Sequence, residues 1–165
     1  MKIAIISDTH DNLKTFEKAI NWINKENIKL ILHCGDISSQ ETIDMAENLF
    51  KGEIKFVKGN ADYKLYDLPE KIEIEIPARN VSHSDAGGDK KKIVFCHFPD
   101  IAKRLTESKK FDLVFYGHTH KPWEEKIGNC RFVNPGELAG QIFKPTFAIY
   151  NTETDLLELK ILERL

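Results

Sequence analysis

The segment KIAIISDTH, Lys2 to His10, decides how the chain is to be read. Lys2 to Ser7 is a β-branched run of the kind a strand buried on both faces requires. It ends at Asp8, and His10 follows two residues later. Beyond this polar corner, Leu13, Phe16, Ala19, Ile20 and Ile23 recur at helical spacing, which predicts a helix over roughly Leu13 to Lys25. The same succession then repeats. IKLILHCGD is a second buried strand, ending at Gly35 and Asp36. SSQETIDMAENLF follows as a helix, with Ser38 and Glu41 spaced as a capping box and Ile43, Ala46, Leu49 and Phe50 as its inner face. IKFVKGN is a third, short strand that ends at Gly59 and Asn60.

Later segments change character. KIEIEIP alternates apolar and acidic residues, so it predicts a strand with one wet face. ARNVSHSDAGGDKKK, covering the 79–92 region, reads as a polar hairpin loop, and KIVFCHF as the returning strand. Pro99 and Asp100 open a short helix that should end near Lys109. FDLVFYGHTH is a further strand with its corner; WEEKIG, CRFVNPG, TFAIYN and LLELKIL look like successive antiparallel strands. Parallel βαβ units followed by antiparallel strands predict a mixed sheet, or two sheets packed face to face with helices outside. The crossover rule puts the early helices on one face of their sheet.

The chain has 165 residues, which suits one domain spanning 1–165. Its formal net charge of -2 argues against an extended nucleic-acid surface, because such binding is driven by neutralising phosphates. No apolar run is long enough to span a bilayer, and the first segment meets Asp8 too soon for a signal peptide, so the expected location is the cytoplasm. Cys34, Cys96 and Cys130 form no CxxC pair and read as reduced, buried thiols. Open sheet edges and apolar C-terminal strands would suit a homodimer.

The chemistry collects where strands stop. Asp8 and His10, Asp36, Asn60 and Asp62, His97, His118 and His120, and Asn134 to Gly136 each stand where an apolar strand gives way to a loop. Any one of them alone is ordinary: an Asp after a strand is commonly a turn former, and a lone His a core or surface imidazole. Together they form an ordered set of carboxylates, imidazoles and an amide, and in open α/β sheets the carboxyl ends of strands converge on one crevice. Oxygen and nitrogen donors without thiolate suit borderline divalent metals. Seven donors exceed one tetrahedral zinc but match two ions roughly 3.5–4 Å apart with a bridging carboxylate, the arrangement that clamps both oxygens of an in-line displacement at phosphorus.

The ordered set D-x-H, G-D, G-N, H, G-H-x-H, carried here by Asp8, His10, Asp36, Asn60, His97, His118 and His120, resembles the signature of the calcineurin-like metallophosphoesterases. The short length, the SDTH start and the closing NPG resemble its small bacterial and archaeal phosphodiesterase branch, which also contains retromer-subunit-like proteins. The resemblance runs from Ile3 to the C-terminal strands. It implies an α/β fold, a four-layer α/β/β/α sandwich of two mixed β-sheets flanked by helices, with a dinuclear centre at the sheet edge. It implies that Asp8, His10 and His120 bind the first metal, that Asp36 bridges, and that Asn60, His97 and His118 bind the second. Asp8, His10, Asp36, Asn60 and His97 thereby become the catalytic set. The cofactors would be two divalent ions, Mn²⁺ or Ni²⁺ in first place, with Fe, Co or Zn as alternatives. The implied reaction is in-line attack of a metal-bridging hydroxide on a small phosphodiester, nucleotide-like or otherwise. The same fold also serves as a non-enzymatic protein-binding scaffold or as a phosphomonoesterase. Scaffold members lose metal-site histidines that this chain keeps, and the metal corners carry no conspicuous Arg or Lys for a monoester dianion, Lys121 excepted.

One departure from the family pattern stands at Ala61. Many relatives carry a His directly after the Asn of G-N, where it protonates the leaving group or steadies charge on phosphorus. Here the stretch is GNADY, so leaving groups that depart without a proton should be favoured, and Asp62 should have lost its partner. Asn12 stands where it could touch substrate phosphate. His33, inside the second strand, reads as a buried neutral imidazole or a support for the ligands; His83 as a solvated loop residue that could stand in as an acid; Trp22 and Trp123 as packing or contact residues. On an extended stretch, His118 and His120 would point to the same side, with Thr119 turned away.

Overall fold

The computed structural model describes residues 1–77 and 90–165. Two five-stranded mixed sheets lie face to face. The first contains β1 (Lys2–Ile6), β2 (Leu30–His33), β3 (Glu53–Phe56), β9 (Thr146–Asn151) and β10 (Leu156–Ile161), in the order β10-β9-β1-β2-β3. The second contains β4 (Lys71–Pro77), β5 (Lys90–Cys96), β6 (Leu113–Phe115), β7 (Trp123–Ile127) and β8 (Cys130–Asn134), in the order β4-β5-β6-β8-β7. The helices are α1 (Leu13–Lys25), α2 (Gln40–Leu49) and α3 (Pro99–Glu107).

Strand alternation builds the layers. Ile3 and Ile5 of β1 join Leu30, Leu32, Phe95, Phe115 and Tyr150 in a core between the sheets. Ala4 and Ile6, pointing the other way, pack with Phe16, Ile20 and Ile23 of α1 and with Ile43 and Ala46 of α2. A third cluster puts Val94, Cys96 and Val114 against Ala102 of α3. The result is the expected four-layer α/β/β/α sandwich, with both early helices on one face.

Several local expectations change. The second helix is capped by Ser39, whose side chain accepts from the Thr42 N–H; Ser38, the expected cap, has φ 88 and donates its N–H to Asp62 instead. α3 ends at Glu107, two residues before Lys109. The C-terminal strands are not one antiparallel series. β7 and β8 pair antiparallel, but β8 then runs parallel to β6 in the second sheet, whereas β9 inserts antiparallel beside β1 in the first. Facing residues explain the division: Phe147 and Ile149 of β9 fill the helix-side core, while Ala148 and Tyr150 fill the core between sheets. Lys90 to Lys92, read as loop, open β5 and pair with Glu75, Ile76 and Pro77. The rest of that polar segment, including His83, lies outside the described residues.

Among the described residues no helix is long and apolar enough to cross a membrane. Cys34, Cys96 and Cys130 are buried and free.

Candidate metal centre

The carboxyl ends of β1, β2 and β3 meet those of β5 and β6 at one edge of the sandwich, and short backbone bonds lace the corners together. The N–H of Asp8 donates to Gly35 O at 3.0 Å, and those of Thr9 and His10 donate to Asp36 O at 2.9 and 3.0 Å. The Gly117 N–H donates to His97 O at 3.1 Å. These corners are tight. Asp8, His10, Asp36, His118 and His120 all have φ between 43 and 68°. This left-handed region costs a non-glycine residue roughly 1–2 kcal/mol. Such outliers gathered in one place mark a functional site held by its surroundings.

Two glycines let the carboxylates sit this close to the chain. A Cβ on Gly59 would lie 2.2 Å from Asp36 Oδ1, and one on Gly117 would lie 2.0 Å from Ser7 Oγ and 2.8 Å from Asp8 Oδ2.

All seven expected donors come together here. Asp8, His10, Asp36 and His120 form one group whose ligand atoms converge, and Asp36, His97 and His118 form a second. Asp36 belongs to both. Its Oδ2 lies 3.5 Å from His10 Nε2 and 3.3 Å from His97 Nε2. Asn60 Oδ1 completes the second group, 3.0 Å from His97 Nε2 and 2.8 Å from His118 Nδ1. In the first, His10 Nε2 and His120 Nε2 stand 3.3 Å apart, and His120 Nε2 is 3.5 Å from Asp8 Oδ1. Both Asp8 oxygens also accept from the His118 N–H at 3.1 Å, which ties the two groups through the backbone.

The rings are oriented from behind. His97 donates Nδ1–H to Cys34 O at 2.8 Å, so Nε2 faces the site with its lone pair. His120 does the same through Glu137, whose Oε2 lies 3.0 Å from Nδ1. A set of nitrogen and oxygen lone pairs aimed inward, with the ring protons spent outward, fits divalent cations of the borderline class.

The charges of the site are arranged around Asp36. Burial would raise its carboxyl, but the His97 hydrogen bond and charge, with the Ala61 N–H on Oδ1 at 2.7 Å, hold it below the usual carboxylate range. For His97, burial disfavours the charged ring, yet the bond to Asp36 and its charge raise it overall. Burial pushes Asp8 up.

Four residues do something other than expected. His118 and His120 do not lie on an extended stretch. They sit in a turn, each with positive φ, and it is the turn that brings both rings inward. Thr119 Oγ1 accepts from Asn134 Nδ2 at 3.0 Å, and the same amide donates to Gly117 O at 2.8 Å, so the Asn of NPG braces the GHTH corner. Asn12 has both ends engaged, Oδ1 with the Thr15 N–H at the start of α1 and Nδ2 with Ala139 O, so its amide serves the fold rather than a phosphate. Asp62 has not lost its partners. Its carboxylate, fully buried, accepts from the N–H groups of Asp36, Ile37, Ser38 and Gly59 at 2.7–2.9 Å.

Glu137 escaped the sequence reading altogether. It is fully buried and takes the N–H groups of Gln141, Ile142 and Phe143 as well as the His120 ring. Burial opposes its charge, but those three N–H groups and His120 hold its carboxyl below the usual range. A single acid set among small and apolar residues in NPGELAG is the signal that could have found it. Glu137→Gln is expected to weaken Mn²⁺ affinity roughly 10–100-fold with little change in fold, as removal of an outer partner to a metal-binding His does. Calorimetric titration against the parent checks it.

His33 is a buried neutral imidazole, as its position suggested. Burial pushes its pKa down to about 3. Between the ordinary value near 6.5 and about 3, the unfolded chain therefore binds a proton that the folded chain refuses, and stability falls as pH drops through that window. The slope from this group approaches ~1.4 kcal/mol per pH unit. Urea unfolding at pH 6 and pH 5 should show a His33→Gln variant losing less stability per pH unit than the parent, by about one proton.

The fold and donor set describe a metal-using hydrolase of the phosphoesterase class. Residues 1–155 match the calcineurin-like phosphoesterase superfamily domain. A phosphodiesterase of Methanocaldococcus jannaschii is 34% identical over 158 residues, covering 93% of this chain and 94% of the relative. A probable metallophosphoesterase of the same organism is 33% identical over 141 residues, covering 82% and 67%. The solved structure of an archaeal phosphodiesterase superposes with a TM-score of 0.84 at 30% identity, covering 98% of this chain and 99% of that one. Vps29 of Chaetomium thermophilum gives 0.73 at 17% identity, covering 97% and 95%, a likeness of fold alone. The chain belongs to the calcineurin-like phosphoesterase superfamily.

Proposed function

We propose that this chain is a single-domain, cytoplasmic, metal-dependent phosphodiesterase acting on a small diester, nucleotide-like or otherwise, at a dinuclear centre. The observation that carries it is Asp36 Oδ2, which stands within 3.5 Å of a ligand nitrogen in each of two donor groups. Asp8, His10, Asp36 and His120 would hold one ion; Asp36, Asn60, His97 and His118 would hold the other. Mn²⁺ and Ni²⁺ lead the candidates, with Fe, Co and Zn in the same donor class. When bound, such a pair lowers the pKa of a shared water and clamps the attacking and departing oxygens of an in-line displacement.

The residues do the rest. Cys34 O and Glu137 fix the two rings so that their Nε2 atoms address the centre without rearrangement. Asp62 fixes the backbone of Asp36 and of Gly59, next to Asn60, from one carboxylate, so both groups share a frame. Ala61 offers its N–H to Asp36 but no side chain to give a proton to a leaving oxygen. General acid catalysis contributes typically about 10²–10⁴-fold, so diesters with good leaving groups should react best. The corners 7–12, 34–38, 59–63 and 116–121 carry no Arg and, apart from Lys121, no Lys, which favours a diester monoanion over a monoester dianion. The phosphodiesterase name of the relative at 34% identity supports the same class.

The test strips metal from the protein, restores Mn²⁺ or Ni²⁺, and compares hydrolysis of an activated aryl phosphodiester with the matching monoester. Turnover that returns with metal and prefers the diester supports the proposal. No metal-dependent turnover, or a preference for the monoester, overturns it.

A further inference from the structure

His33 lies outside the donor set, yet it touches both corners that carry the first three donors. It is fully buried, with the rings of Phe16 and Phe56 at 5.6 and 5.5 Å. Its Nδ1 accepts the Gly35 N–H at 3.3 Å, so the ring proton sits on Nε2 and is donated to Thr9 Oγ1 at 2.7 Å. Gly35 directly precedes Asp36; Thr9 stands between Asp8 and His10. Resting on the metal-dependent reading above, we propose that His33 is a positioning residue that clamps the ends of β1 and β2 together, and thereby presets Asp8, His10 and Asp36 for metal binding.

The chemistry of the ring explains the choice of residue. Filling a space between two phenyl rings needs no nitrogen, and burying polar atoms there costs free energy unless each is hydrogen-bonded. Here both are. A neutral imidazole accepts on one side of a rigid plane and donates on the other, which aliphatic and phenyl side chains cannot do. The corners it joins also need holding. Asp8, His10, Gly35 and Asp36 all have positive φ, and such backbones persist only where the surroundings over-determine them. The four backbone bonds between these corners, from the N–H groups of Asp8, Thr9, His10 and Asp11, join main chain to main chain; the His33 bridge adds a side-chain tie.

The substitutions separate the two bonds from packing. His33→Phe keeps a flat ring and loses both bonds. Thr9→Val keeps the shape of Thr9 and loses its oxygen, whereas Thr9→Ser keeps the oxygen. Mn²⁺ titration calorimetry and the visible absorption of the Co²⁺-loaded protein read the site without reference to turnover. His33→Phe and Thr9→Val are expected to weaken Mn²⁺ binding roughly 10–100-fold and to change the Co²⁺ spectrum, as loss of supporting contacts does, with Thr9→Ser at or near the parent. Parental Mn²⁺ affinity and Co²⁺ spectrum in folded Thr9→Val overturn the clamp. Should His33→Phe not fold, Thr9→Val against Thr9→Ser decides alone. A parent that binds neither ion overturns the metal reading and the clamp together, and that failure is recognised by its appearance in the unsubstituted protein.

Discussion

Asp36→Asn is expected to abolish metal-dependent turnover and leave the chain folded. The substitution is nearly isosteric. The Asn oxygen can still accept the Ala61 N–H that Asp36 Oδ1 takes at 2.7 Å, so the corner keeps its internal bond. What changes is the atom between the two donor groups. Asp36 Oδ2 faces His10 Nε2 at 3.5 Å and His97 Nε2 at 3.3 Å. An amide NH₂ in that place presents protons, not a lone pair, to a cation, and removes the negative charge that would offset bound cations. Among the described residues, no other belongs to both groups. Loss of kcat/KM toward an aryl diester should be on the order of 10³-fold or more, beyond what one positioned donor contributes. Elemental analysis should show less bound metal per chain than in the parent. Parental turnover from Asp36→Asn would place the chemistry elsewhere.

Asp62→Ala should act on stability as strongly as Asp36→Asn acts on activity. Oδ1 accepts from Ile37 and Ser38, and Oδ2 from Asp36 and Gly59. Removing the carboxylate strands four N–H groups around a fully buried side chain. Each unsatisfied buried donor costs about 1–3 kcal/mol, and because the four share one turn their costs do not simply add. A loss of roughly 4 kcal/mol or more in urea unfolding is expected, a large share of the stability of a domain this size. Asp62→Asn should fall between, because one oxygen still accepts. A loss below ~1 kcal/mol for Asp62→Ala would mean that the turn between β2 and α2 holds by its own backbone bonds.

How far the sequence could be read depends on the range of the interaction. The first helix, expected at roughly Leu13 to Lys25 and found at Leu13–Lys25, was legible because its apolar spacing is a local signal. KIEIEIP was legible as Lys71–Pro77 for the same reason. The donor residues were legible because each follows an apolar strand. Asp62 was misread because its four partners include Asp36, Ile37 and Ser38, more than twenty residues earlier, and a carboxylate beside an alanine shows nothing of them. Glu137 was missed because its role depends on His120, seventeen residues back, and on a loop that folds around it. The GHTH corner was placed correctly and explained wrongly, since alternation holds for strands and these residues lie in a left-handed turn.

By itself, then, the order of residues in this protein determined which side chains could be buried, where strands stop, and which donors stand at those stops, because periodicity and strand ends are properties of neighbours. Only the tertiary structure decided that Asp62 and Glu137 brace rather than react, and that His33 bridges Thr9 and Gly35. Each of those depends on a hydrogen bond or a close approach between segments that sequence separation hides. It also decided which sheet each C-terminal strand joins: β9 lies beside β1, with Ala148 and Tyr150 between the sheets and Phe147 and Ile149 in the helix-side core.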